Sequence, residues 1–417
     1  MESNQRQDNS THIGNATYKN QQELQQKTCI PIHSTNNATN NTTNNTTNIP
    51  KSFLSFLEEQ DIDLDEYFRN FYCFENRFFR VRPAESVSEL DVVESIENHL
   101  KLDPNASKLE STAERMVRNV SWLPCFYKMP LECKIADTLA FQNSLVFPMD
   151  ISSGIAVHAL DVKETDQVLD LCCSPGAKMA MIHDLLGSLG TVTGCDISKQ
   201  RLANTRAIIK KYKLPRARLF CADGTLFNVA PPSRIGSLYL NSNQELDSAP
   251  FVKPFHASKL LRTDLQTSAL LYDKVIVDAE CTHDGSLIHI KKLQNNQWND
   301  LDSRFLEPKR IASIRHLQLS LLQNGFKMLK KGGILVYSTC SFSRYQNEEV
   351  VLAFLESRGS FDVEVESVPF ADTFPLAPLP SCYANHLKKS ELEKTLRFTP
   401  RHSATSGLFV ARFRKKL

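Results

Sequence analysis

Short apolar runs and amphipathic stretches alternate through the second half of the chain. QVLDLCC, TVTGCD, ARLFCAD, DKVIVDAEC and ILVYSTC each have the length of a buried strand, and each ends in Asp, Cys or both. Between them, PGAKMAMIHDLLG, SKQRLANTRAIIKKYK and RIASIRHLQLSLLQNGFKMLKKGG carry helical patterns. Such alternation predicts an α/β domain over 146–417, a mostly parallel sheet flanked by helices. FDVEVESV and GLFVARFRKK are expected to close it as a terminal antiparallel hairpin with a long connection. Residues 228–270, rich in Ser, Asn and Pro, break the rhythm and are expected to form a surface loop insertion.

The pattern upstream differs. Phe53, Leu54, Phe56 and Leu57 have the spacing of a short helix. RFFRVRP and VSWLPCFYKMP are strand-like, and Ser88 precedes Leu90, Val93, Ile96 and Leu100 as a capped amphipathic helix. These runs predict a small α+β RNA-binding module over 51–145. Its Arg77, Arg80 and Arg82, beside aromatics, would either touch RNA or lie along a solvated strand edge. Residues 1–50 are mainly Asn, Thr and Gln; too little apolar surface there offsets the entropy of ordering, so a disordered tail is expected.

Charge narrows the choice of partners. The formal net charge is only +2, so nucleic-acid binding must rest on local patches. SKQRLANTRAIIKKYKLPRARL, KKLQ after His289, EPKRIASIR and the terminal RFRKKL are the candidates. No apolar run is long enough for a bilayer and the N-terminus has no apolar signal core, so an intracellular protein, in cytoplasm or nucleus and nucleolus, without a membrane partner is expected. Eleven cysteines with no C-x-x-C pair suggest free thiols in a reducing compartment and no metal. A monomer is the default.

In an open parallel sheet, ligands bind beyond the carboxyl ends of the strands. The turn Cys173, Ser174, Pro175, Gly176, Ala177, Lys178 follows the first strand and opens a helix whose N-terminus, with Lys178, favours an anionic group. Asp196 ends the second strand, where an acid accepts from ribose hydroxyls; Asp223 and Gly224 end the third, placed to meet a base. No phosphate loop is present, so a nucleoside without a phosphate chain fits better than a nucleotide. Asp278 with Cys281, and Cys340, end the fourth and fifth runs. If those strands are neighbours, two thiols share one cleft. A pyrimidine is a poor nucleophile at carbon 5 until something adds to carbon 6, and a thiolate can make that addition. One cysteine for attack and one for release is a coherent pair, and Asp278 would hold the base; the residues alone do not say which thiol attacks.

DLCCSPGAK, DISKQRL, CADG, DAEC, YSTCS with the downstream NEEVV, and RFTPRHSATSGLFVARF together resemble the Nop/Sun family of RNA cytosine carbon-5 methyltransferases, over about residues 50–417. PMDISS sits where that family has a glutamine-aspartate-serine-serine entry segment. The resemblance implies a Rossmann-like methyltransferase domain, S-adenosylmethionine as cofactor, and tRNA or rRNA as substrate. It implies that Cys173–Lys178 hold the methionine part, Asp196 the ribose and Asp223 the adenine, with Arg201 and Gly224 also in the cofactor site. Asp278 would lie near the methyl group and base, Cys340 would attack and Cys281 would assist release. Glu280 stands where the family has proline, Ala177 replaces a glycine, and Ser406 replaces an aspartate. A carboxylate approaching Cys281 would raise that thiol's pKa and suit it to release. The rivals are a methyltransferase for protein or small molecules, which would not need paired cysteines, and a non-catalytic RNA-binding or ribosome-assembly factor.

Overall fold

The computed structural model describes residues 49–72, 76–101, 117–232, 253–258, 261, 271–359 and 361–417. The expected disordered tail, apart from Ile49 and Pro50, and most of the 228–270 insertion lie outside the described residues.

Two short helices, α1 (Lys51–Glu59) and α2 (Leu64–Tyr72), open the ordered chain. A four-stranded sheet follows, built from β1 (Asn76–Val81), β2 (Arg118–Asn119), β3 (Phe126–Pro130) and β4 (Val146–Pro148) in the order β2-β3-β1-β4. The helix α3 (Glu89–Lys101) buries Val92, Val93, Ile96 and Leu100 against Phe79, Val81, Tyr127 and Met129. Ser88 caps it as expected, accepting from the Asp91 amide at 3.2 Å, but Leu90 points outward. β4 takes this sheet three residues beyond the expected boundary at 145, because Val146–Pro148 pair with β1. By contrast, α1 and α2 belong to the main body. Phe53 packs on Trp298, and Tyr67 lies edge-on to Phe342 at 6.0 Å.

After α4 (Ile151–Leu160), the main sheet takes β5 (Gln167–Asp170), α5 (Ala177–Leu185), β6 (Thr191–Asp196), α6 (Lys199–Lys211) and β7 (Ala217–Cys221). It continues with β8 (His256–Ala257), β9 (Tyr272–Asp278), α7 (Leu287–Asn295), α8 (Pro308–Met328) and β10 (Leu329–Thr339). Last come α9 (Glu348–Arg358), β11 (Val363–Glu366), β12 (Leu396–Phe398) and β13 (Leu408–Lys415). The spatial order is β11-β13-β10-β9-β5-β6-β7-β8, with β12 also paired to β13. β5, β6, β7, β9 and β10 are parallel, the five runs read from the sequence. β13 is antiparallel to both β10 and β11. Part of the expected loop insertion is strand instead: β8 pairs antiparallel with β7 and extends that edge.

β6 is buried along its whole length because both faces of the sheet are covered, and its small and β-branched residues fit that position. The chain lays β6, β7 and β8 on one side of β5, then crosses to β9 and β10 on the other. That reversal opens a crevice at the carboxyl ends of β5 and β9. Among the described residues no helix is long and apolar enough to cross a membrane.

Arg80 and Arg82 of the β1 region are occupied within the protein and do not form a solvated edge. Arg80 and Arg82 both pair with Asp184 of α5, Arg82 also lies over the Tyr212 ring, and Arg77 donates to the Leu131 carbonyl. Arg80 and Arg82 fasten the small sheet to the main body, and the Arg77 contact stays within the small module. The C-terminal basic run is similarly occupied: Arg412 and Arg414 pair with Glu366, and Lys415 donates to the Phe326 and Leu329 carbonyls.

Candidate active site

β9 and β10 run parallel with Asp278 opposite Ser338. The two chains therefore leave the sheet side by side, and Cys281 and Cys340 meet just beyond it with their sulfurs 3.5 Å apart. His283 completes the group: its Nδ1 is 3.0 Å from the Cys340 sulfur and 3.6 Å from that of Cys281. The three donor atoms lie within 4.8 Å of one another, a convergence that cysteine spacing along the chain did not reveal. At these distances each can also serve the others as a hydrogen-bond partner.

Three loops hold it. Buried Asp284 accepts from Thr282 Oγ1, from Ser341 Oγ at 2.7 Å and from the Phe342 amide at 2.6 Å. The Gly285 amide donates to the Cys340 carbonyl at 3.0 Å, and the Gly407 amide donates to the Gly285 carbonyl at 2.7 Å. A Cβ on Gly285 would lie 2.8 Å from that Cys340 carbonyl oxygen, so glycine permits the approach. Asn347 ties the second loop, accepting from Thr339 Oγ1 at 2.6 Å and donating to the Ser341 carbonyl at 2.9 Å.

The thiols release their protons unequally. A hydrogen bond from the Cys340 thiol, opposed by burial and aided by His283, draws Cys281 down to about 6. The hydrogen bond to Cys281, then burial, pushes Cys340 well above the ordinary thiol range. The titration belongs to the pair: its first proton leaves easily and its second is held. His283 is raised, chiefly by its hydrogen bond with Cys281. Access runs the other way, because Cys281 is 1% exposed while Cys340 is half-buried. Glu280 does not raise the Cys281 thiol as the sequence suggested. Its carboxylate is 3.8 Å from Arg310 and half-exposed, and the thiol shift is downward.

Asp278 lies between the thiols and the first turn. It accepts from Lys178 Nζ at 2.6 Å and from Ser338 Oγ at 2.7 Å, while Lys178 also donates to Ser153 Oγ at 3.0 Å. Burial works to lower the Lys178 ammonium, but Asp278 and Asp170 outweigh it and hold it up. Lys178 thus serves Asp278 rather than waiting for a cofactor's anionic group. Ser153 comes from PMDISS, so that segment does reach the site.

The remaining expected residues divide. Ser174, Pro175, Gly176 and Ala177 form the turn into α5, with Gly176 at φ +113°, a conformation glycine favours. Arg201 donates to the Ser174 carbonyl at 2.9 Å and lies 3.5 Å from Asp196. Asp196 is buried with one oxygen on the Ser198 amide, and Asp223 accepts from Thr225 at the exposed end of β7. Cys173 turns into the core, in the space a Cβ on Gly194 would enter. Gly224 is buried too: its carbonyl accepts from Asn324 at 2.7 Å and Leu321 fills the space beside it, which ties this turn to α8. Sequence reasoning missed Asp170, His283 and Asp284. Asp170 is buried, pushed up to about 7 by burial and then by Asp278, and its Oδ2 has no partner. An unpartnered carboxylate oxygen beside a helix N-terminus fits a polar, cationic nucleoside-type ligand. The stretch CTHDGS, with a histidine two residues after the cysteine and an Asp-Gly turn, was the available signal for the other two.

A family model described as 16S rRNA methyltransferase RsmB/F matches residues 157–235 and 255–414. Among curated proteins, the chain is 27% identical over 286 residues to one named "Probable ribosomal RNA small subunit methyltransferase B" from Bacillus subtilis, covering 69% of this chain and 51% of that one. It is 26% identical over 289 residues to the tRNA (cytosine(72)-C(5))-methyltransferase of Pyrococcus horikoshii, covering 69% and 56%. The chain thus spans about half the length of these relatives. A crystal structure of a methyltransferase homolog protein from Pyrococcus horikoshii superposes with a TM-score of 0.58 at 23% identity, covering 88% of this chain and all of that one. The NSun6 structure from the same organism, with SFG, gives 0.56 at 16% identity, covering 88% and 98%. These two likenesses concern the fold alone.

Proposed function

We propose, for a chain that belongs to the 16S rRNA methyltransferase RsmB/F family, that it methylates carbon 5 of cytosine in structured RNA through a covalent cysteine adduct. The observation that carries this reading is the thiol pair: two sulfurs 3.5 Å apart at the ends of adjacent parallel strands, beside Asp278. Methyl transfer to an oxygen or nitrogen has no use for them.

S-adenosylmethionine is the cofactor on this reading, and its sulfonium supplies an electrophilic methyl group. Ser174–Ala177, Arg201, Asp196 and Asp223 would hold it, with Asp170 offering its unpartnered oxygen. Cys340, the more accessible sulfur, adds to carbon 6. Asp278, fixed by Lys178 and Ser338, orients the base. Cys281 removes the carbon-5 proton so that the Cys340–carbon bond can break. The cytosine must leave any stack to reach a cleft between strand ends, which favours a loop or flexible strand. Relatives named for small-subunit rRNA and for tRNA make both classes the substrates to try. Free thiols this close point to a reducing, intracellular setting.

The test uses Cys281→Ala protein with total RNA and S-adenosylmethionine on a denaturing gel. A nuclease-sensitive slower band that disappears in Cys281→Ala/Cys340→Ala supports the assignment. The preference of the thiolate for Cys281 supports a second reading in which that sulfur attacks. An adduct that forms in Cys340→Ala and needs Cys281 would select it. No adduct and no methyl transfer by the unsubstituted protein would leave a binding factor.

A further inference from the structure

We propose that His283 is a third catalytic residue, the base that deprotonates each thiol in turn. The inference rests on the methyltransferase reading above and deepens it. The carrying observation is position: Nδ1 lies within reach of both sulfurs, at 3.0 Å from Cys340 and 3.6 Å from Cys281. His283 is held there by backbone constraint. Its φ is +61°, and on either side of it Thr282 and Asp284 are buried in the network that fixes the loop.

The groups that face His283 suit a proton carrier. Cys281, Asp278 and Asp284 stabilise its cationic form, and Lys178 tempers Asp278 from α5. Tyr67 of α2 is buried and kept protonated, chiefly by burial and then by the charge of Asp284. His289 of α7 stacks on His283 with centroids 4.8 Å apart. Burial and then the charges of His283, Lys292 and Arg304 draw His289 down to about 4, so it stays neutral beside a charged partner. The two stacked rings are driven in opposite directions, His283 up and His289 down.

The step balances. The Cys340 S–H proton passes to His283 Nδ1, and the thiolate adds to carbon 6. The carbon 5–carbon 6 electron pair moves to carbon 5, which bonds the methyl group as the cofactor's sulfonium sulfur leaves as a thioether. The Cys281 thiolate, the first of the pair to form, removes the proton from carbon 5, the double bond re-forms, and the bond from carbon 6 to Cys340 breaks. The imidazolium returns its proton to the Cys340 thiolate, and neutral His283 then takes the Cys281 proton and releases it to water. One proton leaves per methyl group transferred, as the overall reaction requires.

His283→Asn is the informative variant, because asparagine tolerates the left-handed conformation at this position. Two readouts are needed. Thiolate ultraviolet absorbance against pH, on protein without RNA, is expected to move to higher pH in His283→Asn. Turnover near neutral pH is expected to fall on the order of 10²- to 10³-fold and to recover as pH rises. A uniform loss at every pH with an unmoved thiolate titration would overturn the proposal and make His283 structural. If the unsubstituted protein methylates no RNA, the methyltransferase reading fails, while the titration still decides whether His283 governs the thiols. If His283→Asn unfolds, NMR titration of labelled histidine in the unsubstituted protein decides: a ring inflection shared with the thiolate supports the proposal, and independent inflections overturn it.

Discussion

The two thiols at the strand ends set each other's acidity, and single substitutions should show it. The largest influence lowering Cys281 is the hydrogen bond from Cys340. Cys340→Ala removes that donor and leaves burial unopposed by it. The pH at which Cys281 becomes reactive to iodoacetamide should rise by roughly 1–2 units, toward the ordinary thiol value. Glu280→Gln should leave the same profile unmoved, because the Glu280 carboxylate is directed to Arg310. A shift in the glutamine variant would revive the direct influence on Cys281 that proximity in sequence suggested. In the unsubstituted protein, the acid limb of methyl transfer should follow loss of the pair's first-formed thiolate. Activity should therefore fall as pH drops through about 6.

At the scale of elements, the site depends on three loops crossing at glycine. Gly285→Ala places a methyl 2.8 Å from the Cys340 carbonyl oxygen and forces the two loops apart. A displacement of about 1 Å at the reacting sulfur can cost on the order of 10²-fold in rate, so turnover should fall far more than cofactor affinity does. Isothermal titration alongside single-turnover methylation would separate the two. A second element-level contact joins the small sheet to the main body. Burial alone would raise the Asp184 carboxyl, but Arg82 and Arg80 more than offset it and hold it below the usual range. Its stabilising effect is therefore present above the unfolded carboxyl value of about 3.9 and is lost as pH falls through the lower folded value. Asp184→Asn leaves two largely buried guanidiniums without their counter-charge, and urea unfolding should show a loss of about 3–5 kcal/mol. These contacts also mark where sequence reading stops. The alternation of apolar runs revealed the parallel strands and their terminal acids, because burial and period are local properties. Nothing local says that Asp184 meets Arg80 and Arg82, that His283 meets Cys340, or that Gly224 and Cys173 turn inward. Those outcomes depend on which surfaces the topology brings together.

For the whole molecule, the question is which positive charges remain for RNA in a chain of net charge +2. Basic residues that look alike in the sequence separate in the structure. Arg80, Arg82, Arg412 and Arg414 are paired within the protein, and Arg218 is buried with Thr193. Lys292 and Arg304 are exposed, and both lie close enough to His289 to act on its charge, so they border the thiol group. Phosphate contacts release counterions, and each one contributes somewhat less than one unit to the slope of log affinity against log salt. Lys292→Ala and Arg304→Ala should each weaken binding of a methylatable RNA and flatten that slope by roughly 0.7–0.9. Arg412→Gln should lower the unfolding midpoint and leave the slope unchanged. If the slope instead follows Arg412 and ignores Lys292 and Arg304, the RNA lies against the far edge of the sheet, and the cytosine has no direct route to Cys340.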